Sequence, residues 1–140
     1  MKYDKPVDVI VKIMTTNRTA VDVFDFFQNI KNWESGGVLS STTKDKNDWW
    51  SCDTPAGKAK IKCTPDKHFG ILDHTFIVGD VKWNVYVRIM ANNNGSTTVW
   101  TFLKPDVLST EQFQEQLKAF DLEIDGWKRT LGNNTSQMLS

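Results

Sequence analysis

Residues 111–131 read EQFQEQLKAFDLEIDGWKRTL, a segment in which an apolar side chain recurs every three or four positions. This spacing places the apolar side chains on one face of a helix and predicts an amphipathic α-helix from about Glu111 to Leu131. Ser109 before the segment and Gln112 three positions later form a capping-box pattern. Gly132 is the predicted C-terminal cap. The apolar face consists of Phe113, Leu117, Phe120, Ile124, Trp127 and Leu131.

So regular an apolar face must be covered, either by a sheet or by another molecule, because no second helix of similar length is predicted. Gly126 interrupts the helix at a cost of about 1 kcal/mol relative to alanine, which indicates a bend or a close approach to a neighbouring element. Residues 133–140 are predicted to be a disordered tail. We therefore expect a single domain over residues 1–132.

The residues upstream of this helix alternate with a period of two, as strands do. Residues 7–14 predict the first strand, with Val7, Val9, Val11 and Ile13 expected on its buried face. A short helical segment follows, with Thr19 as its predicted N-cap. This segment is expected to break near Asn29 and to end near residues 33–37.

Residues 45–64 predict a hairpin that turns at residues 54–57. In this register Cys52 lies opposite Ala59 and Trp50 lies opposite Ile61, and the side chains of three lysines point outward. Residues 70–78 predict a strand that places His74 on the inward face. The outward lysines are Lys58, Lys60 and Lys62, and the inward neighbours of His74 are Leu72, Phe76 and Val78.

The dipeptide Asn94-Gly95 predicts a tight turn between the last two strands, because a type I′ turn requires positive φ values. Pairing outward from this turn sets Ile89 opposite Trp100 and Val87 opposite Phe102. Arg88 then falls on the outer face, although a strand bulge would turn it towards the interior.

The composition excludes several classes of protein. The chain has 17 basic and 17 acidic residues and no run of lysine or arginine, so neither a nucleic acid nor another charged partner is expected. It shows no signal peptide and no run of about 18 apolar residues, which predicts a cytoplasmic protein without a membrane span. The two cysteines and two histidines lack metal-ligand spacing, and we expect no metal and no cofactor.

The order of these elements resembles the START/Bet v 1-like superfamily, also called the SRPBCC or polyketide cyclase-like group, and in particular its uncharacterised bacterial members. The stretches that carry the resemblance are VFDFF at 23–27 leading to Trp33, GILDH at 70–74, RIM at 88–90 and the segment from Phe113 to Leu131. The resemblance implies an α+β helix-grip fold, in which a curved antiparallel sheet of six to seven strands wraps around the C-terminal helix.

The resemblance also implies an internal apolar cavity that binds a small hydrophobic molecule such as a lipid, a sterol or a polyketide. Inward aromatic walls of this kind suit a flat or apolar ligand, although they equally fill a core. The candidate ligand-binding residues are Trp33, Trp50, Ile61, Leu72, His74, Phe76, Val85, Val87, Trp100, Phe102, Phe120, Ile124 and Trp127.

Two alternative functions stay open at this point. The first is an aromatase/cyclase-type enzyme with His74 as its general base, whereas the simpler interpretation makes His74 a core residue bonded to a backbone carbonyl. Cys52 shares the inward face, but roughly 9–10 Å of sheet separates its backbone from that of His74, too far for a Cys-His pair. The second alternative is a protein-interaction module resembling the Hsp90-activator branch of the superfamily.

Overall fold

The computed structural model describes the backbone of residues 5–139 and the side chains of residues 5–132. In chain order the elements are β1 (Val9–Thr16), α1 (Ala20–Gln28), a 3-10 helix (Ile30–Gly36), β2 (Ser40–Lys44), β3 (Trp49–Thr54), β4 (Gly57–Asp66), β5 (Ile71–Val78), β6 (Val81–Asn92), β7 (Gly95–Leu103) and α2 (Thr110–Leu139).

The seven strands form one antiparallel sheet in the order β1-β7-β6-β5-β4-β3-β2. The sheet curves around α2, which lies nearest to the 3-10 helix and to β1. This confirms the predicted α+β helix-grip fold. None of the helices in the described part of the chain combines the length and the apolarity needed to cross a lipid bilayer.

The start of α2 is fixed by the predicted capping box. The Ser109 backbone N–H donates to Oε1 of Gln112 at 2.9 Å, and the Gln112 N–H donates to Oγ of Ser109 at 3.1 Å. The predicted end was wrong, because the helix continues through Gly132 to Leu139. The predicted disorder of residues 133–140 falls outside the residues whose side chains are described.

Two glycines let α2 cross the 3-10 helix with the backbones in contact. A Cβ atom on Gly126 would lie 2.6 Å from the carbonyl oxygen of Ser35, and a Cβ atom on Gly36 would lie 2.9 Å from Nε1 of Trp127. That indole N–H donates to the carbonyl oxygen of Trp33 at 3.1 Å. The expectation that Gly126 marks a close approach is confirmed, and the approach fixes the height of α2 above the sheet.

The buried face of β1 was predicted wrongly. Val9, Val11 and Ile13 are 51%, 49% and 60% exposed, whereas Met14 is buried. In the observed register, the residues between them face the inward side chains of β7, with Lys12 opposite Trp100. Lys12 is tolerated on the inner side because its ammonium pairs with Asp121 of α2 at 2.8 Å. Both faces of β1 carry apolar residues, so alternation alone did not distinguish them.

The hairpin of β3 and β4 has the predicted register, with Trp50 opposite Ile61 and Cys52 opposite Ala59. The β6–β7 hairpin is shifted by two residues from the prediction, so that Val87 lies opposite Trp100. The turn residue with positive φ is Asn93, at 50°. Gly95 instead begins β7, where a Cβ atom would collide with the carbonyl oxygen of Thr16 in β1.

A shift of two residues preserves the side-chain faces, because side chains alternate with a period of two. Val85 and Val87 therefore still point inward and are buried, as predicted. Arg88 is exposed on the convex face, so the alternative in which it enters the interior is wrong.

We expect Gly126→Ala to destabilise the protein by roughly 1–2 kcal/mol, because overpacking against Ser35 and Gly36 outweighs the better helix propensity of alanine. Gly132→Ala is the matched control, since nothing lies within 4 Å of a Cβ atom at that position. This control should stabilise the protein by up to about 1 kcal/mol. Urea unfolding measures both changes, and equal changes in the two variants would contradict the close-approach model.

Candidate functional site

The concave face of the sheet has two halves that differ in how fully they are covered. We call the part formed by β6 and β7 the filled half, because aromatic side chains of α2 pack directly on it. Trp127 stacks on Trp100 with ring centres 5.6 Å apart, and Phe120 contacts Phe102 edge-on at 4.9 Å. These rings fill the space between helix and sheet as a close-packed core.

We call the other part, formed by β3, β4 and β5, the open half. Trp50, Ile61 and Phe76 lie side by side across these three strands and all point inward. Ile61 is completely buried, but Trp50 and Phe76 are only half-buried, as is Val78 on the next row. Trp50, Phe76 and Val78 thus face the interior and pack against the core, but each keeps part of its surface exposed.

The predicted ligand-binding residues divide between these two environments. Four of them are half-buried, namely Trp50, His74, Phe76 and Phe120. The other nine are buried in the core, namely Trp33, Ile61, Leu72, Val85, Val87, Trp100, Phe102, Ile124 and Trp127. Direct contact with a ligand therefore remains a prediction, and it is best supported for the half-buried group.

His74 is the histidine of the open half. Its Nδ1 lies 3.1 Å from the carbonyl oxygen of Leu72, and its ring centre lies 4.8 Å from that of Trp33. Burial lowers the pKa of His74 to about 4, which keeps the imidazole neutral at physiological pH. With Nδ1 donating to the carbonyl, Nε2 is an acceptor that can receive a hydrogen bond from a ligand.

The cysteine nearest to His74 in the sheet is Cys63, which lies directly opposite it on β4. Cys52 lies one strand farther away, on β3, opposite Ala59, in agreement with the predicted separation of Cys52 from His74. Burial raises the pKa of Cys63 to about 12 and that of Cys52 to about 11, so both thiols stay protonated. A protonated thiol beside a neutral imidazole is not an activated nucleophile.

Metal coordination is not supported by the side chains that the structure describes. Among them, no group of three or more histidine, cysteine, aspartate or glutamate residues is arranged to hold a metal ion. Cys52 and Cys63 are both free.

Glu123 of α2 is an ionisable group that sequence reasoning missed. Its Cβ packs against Gly36 of the 3-10 helix, 3.0 Å from where a Cβ atom on that glycine would lie. Burial raises the pKa of its carboxyl group to about 8, so the group is largely protonated at neutral pH. Glu123 makes no hydrogen bond or ion pair with the described side chains and is free to donate to a ligand. The sequence signal that could have identified Glu123 is its position next to Ile124, at the margin of the apolar face of the helix.

The 3-10 helix is held to the edge strand β2 by a second carboxylate, that of Glu34. Its Oε2 accepts from the backbone N–H of Thr42 at 2.7 Å and from Nζ of Lys31 at 3.2 Å. Hydrogen bonds from Thr42, followed by the one from Lys31, lower the pKa of Glu34. This carboxylate therefore stays charged and serves as a structural clamp at one side of the open half.

No protein-family model matches the chain, and no curated protein matches it in sequence. Solved structures match its fold closely. An uncharacterised protein from Bacillus thuringiensis has a TM-score of 0.71 at 8% identity, covering 88% of this chain and 98% of its own. A START superfamily protein from Mycobacterium smegmatis has a TM-score of 0.65 at 8% identity, covering 88% and 98%.

A third similar structure is the ZhuI aromatase/cyclase from Streptomyces, with a TM-score of 0.68 at 6% identity, covering 86% of this chain and 90% of its own. Identities this low show a shared fold and leave function open. The chain has the START/Bet v 1-like fold, which also occurs in polyketide cyclases, as its sequence pattern predicts.

Glu123→Gln should stabilise the protein increasingly as the pH rises from about 4.5 to about 8, because the wild-type carboxyl binds its proton more tightly when folded. The gain over wild type should be small near pH 5 and is bounded above by about 5 kcal/mol near pH 9, at about 1.4 kcal/mol per pKa unit. Urea unfolding of both proteins across this range measures it. Parallel stability curves would contradict a buried, protonated Glu123.

Proposed function

We propose that this protein binds a small hydrophobic molecule against the open half of the concave face, between β3–β5 and α2. The observation that carries this proposal is the half-buried state of Trp50, Phe76 and Val78, whose side chains point inward. Apolar side chains on the filled half are covered by α2. Those on the open half offer an apolar surface that a ligand can cover, with a gain of about 25 cal/mol for each Å² removed from water.

The polar groups near the open half limit which chemical classes of ligand can bind there. Neutral His74 offers an acceptor and protonated Glu123 offers a donor, so neither provides a charge for an ionic ligand. A buried charged ligand group would be left without a counter-ion, at a high desolvation cost. A mostly apolar molecule with an uncharged hydroxyl or carbonyl group, such as a sterol, a neutral lipid or a polyketide, fits these properties best.

Binding is better supported than catalysis. The aromatase/cyclase alternative requires His74 to remove a proton from a substrate, and a group with a pKa of about 4 is a weak base at neutral pH. The same low pKa suits a hydrogen-bond acceptor that stays uncharged. Similar structures include an aromatase/cyclase and a START superfamily protein, so the fold itself is compatible with either role.

A thermal-shift screen with lipids, sterols and aromatic polyketides tests the proposal. A ligand present at about 100 times its Kd should stabilise the folded protein by about 2.7 kcal/mol and raise Tm. Phe76→Trp should reduce or abolish this shift, because the larger ring occupies the space that the ligand would take.

The matched control is Thr75→Trp. Thr75 is also half-buried on β5 but points to the convex face, so the variant adds an indole without entering the open half. It should keep the ligand-induced shift. If no compound class raises Tm of the wild-type protein, or if both variants lose the shift equally, the proposed site is wrong.

A further inference from the structure

The convex face of the sheet gathers lysines that are dispersed in the sequence. Lys58, Lys60 and Lys62 point outward from β4, and Lys82 of β6 points outward next to Ile77 of β5, in the row that contains Lys60. Lys44 and Lys46 lie at the turn between β2 and β3. The expectation of no charged partner surface rested on the absence of a lysine run, and strand pairing assembles the cluster instead.

A groove crosses this lysine cluster. Its first part has a volume of about 850 Å³, with Trp49, Lys60 and Ile77 among its lining residues and Lys46 and Asn47 at the β2–β3 turn. A second part of about 350 Å³ shares Lys60 and Ile77 and extends to Gly79 at the β5–β6 turn. The two parts together form one surface feature across β3, β4 and β5, which we call the convex groove.

The lysines that line the convex groove, Lys44, Lys46, Lys58 and Lys60, outnumber its lining aspartates, Asp45 and Asp53, by two. Asp53 is paired with Lys58 at 3.3 Å, and Asp45 accepts a hydrogen bond from the hydroxyl of Ser51. The ammonium of Lys62 lies 5.8 Å from the ring centre of Trp49. Lys44, Lys46 and Lys60 of the groove, and Lys82 opposite Ile77 on the neighbouring strand, form no ion pair with the described residues.

We propose that the convex groove binds an acidic, extended segment of a partner protein. Outward lysines two residues apart on one strand are about 6.6–6.8 Å apart, which equals the spacing of alternate side chains in an extended peptide. A carboxylate of such a segment can therefore face the unpaired Lys60, and carboxylates two positions to either side can reach Lys58 and Lys62, which already contact Asp53 and Trp49. An apolar side chain of the same segment would cover Trp49 and Ile77, which are only half-buried.

The convex groove fits a peptide better than a membrane or a nucleic acid. Trp49 is half-buried with Lys62 over its ring, so it cannot project into a bilayer as an interfacial anchor. Asp45 and Asp53 lie in the walls of the groove, where a peptide can present uncharged residues but a nucleic acid would present a phosphate at every nucleotide.

The test uses the full chain and a fluorescein-labelled peptide of about ten residues, with glutamate at alternate positions and one central leucine. Fluorescence anisotropy should report saturable binding that weakens as NaCl rises from about 50 to about 300 mM. The double variant Lys60→Glu/Lys62→Glu should weaken binding at least about tenfold. Lys60→Arg/Lys62→Arg should retain it, and a peptide with serine in place of leucine should bind less tightly.

The control for net charge is Lys118→Glu/Lys128→Glu, which reverses two exposed lysines on α2 away from the convex groove. This variant should bind the peptide like the wild type. Equal losses in the two charge-reversed variants would show unspecific attraction and overturn the proposal. It would also be overturned if vesicles with about 30% phosphatidylserine, or single-stranded DNA, bound in a Lys60- and Lys62-dependent way while the peptide did not.

Discussion

The structure depends on the backbone contact between α2 and the 3-10 helix at Gly126 and Gly36. Without a side chain at either position, α2 approaches closely enough for Trp127 to donate to the carbonyl of Trp33, whose ring then lies on His74. The crossing places α2 next to the 3-10 helix and β1, and its aromatic side chains reach Trp100 and Phe102 of β7. One steric constraint thus fixes the position of α2 relative to the 3-10 helix, from which its side chains reach the concave face.

Lys12, His74 and Glu123 are ionisable groups on the inner side of the sheet, and the fold deals with their desolvation in two ways. The ammonium of Lys12 forms an ion pair with Asp121 of α2 at 2.8 Å, near solvent. His74 and Glu123 have no such partner, and burial shifts the pKa of each towards its neutral form. The charged pair ties the helix to the edge of the sheet, whereas the two neutral groups keep hydrogen-bonding capacity in an apolar region. An apolar site with neutral polar groups selects ligands by shape and hydrogen bonding rather than by charge.

Prediction from the sequence was correct where a local pattern of residues is compatible with only one local structure. The capping box at Ser109 and the register that sets Trp50 opposite Ile61 follow from neighbouring residues, and both were predicted. Prediction from the sequence failed where a contact between residues far apart in the sequence determines the structure. The inner face of β1 depends on the ion pair of Lys12 with α2, and the pKa of Glu123 depends on packing against a helix some 90 positions away in sequence. The polar edge strand β2 was not singled out either, because its residues lack apolar alternation.

Side chains alternate along each strand, so residues adjacent in the sequence lie on opposite surfaces of the sheet. Trp49 and Trp50 are adjacent in sequence, yet one lines the convex groove and the other the open half of the concave face. Lys60 beside Ile61, and Ile77 beside Phe76, divide in the same way. The strands β3, β4 and β5 are therefore shared by both surfaces while their side chains are not.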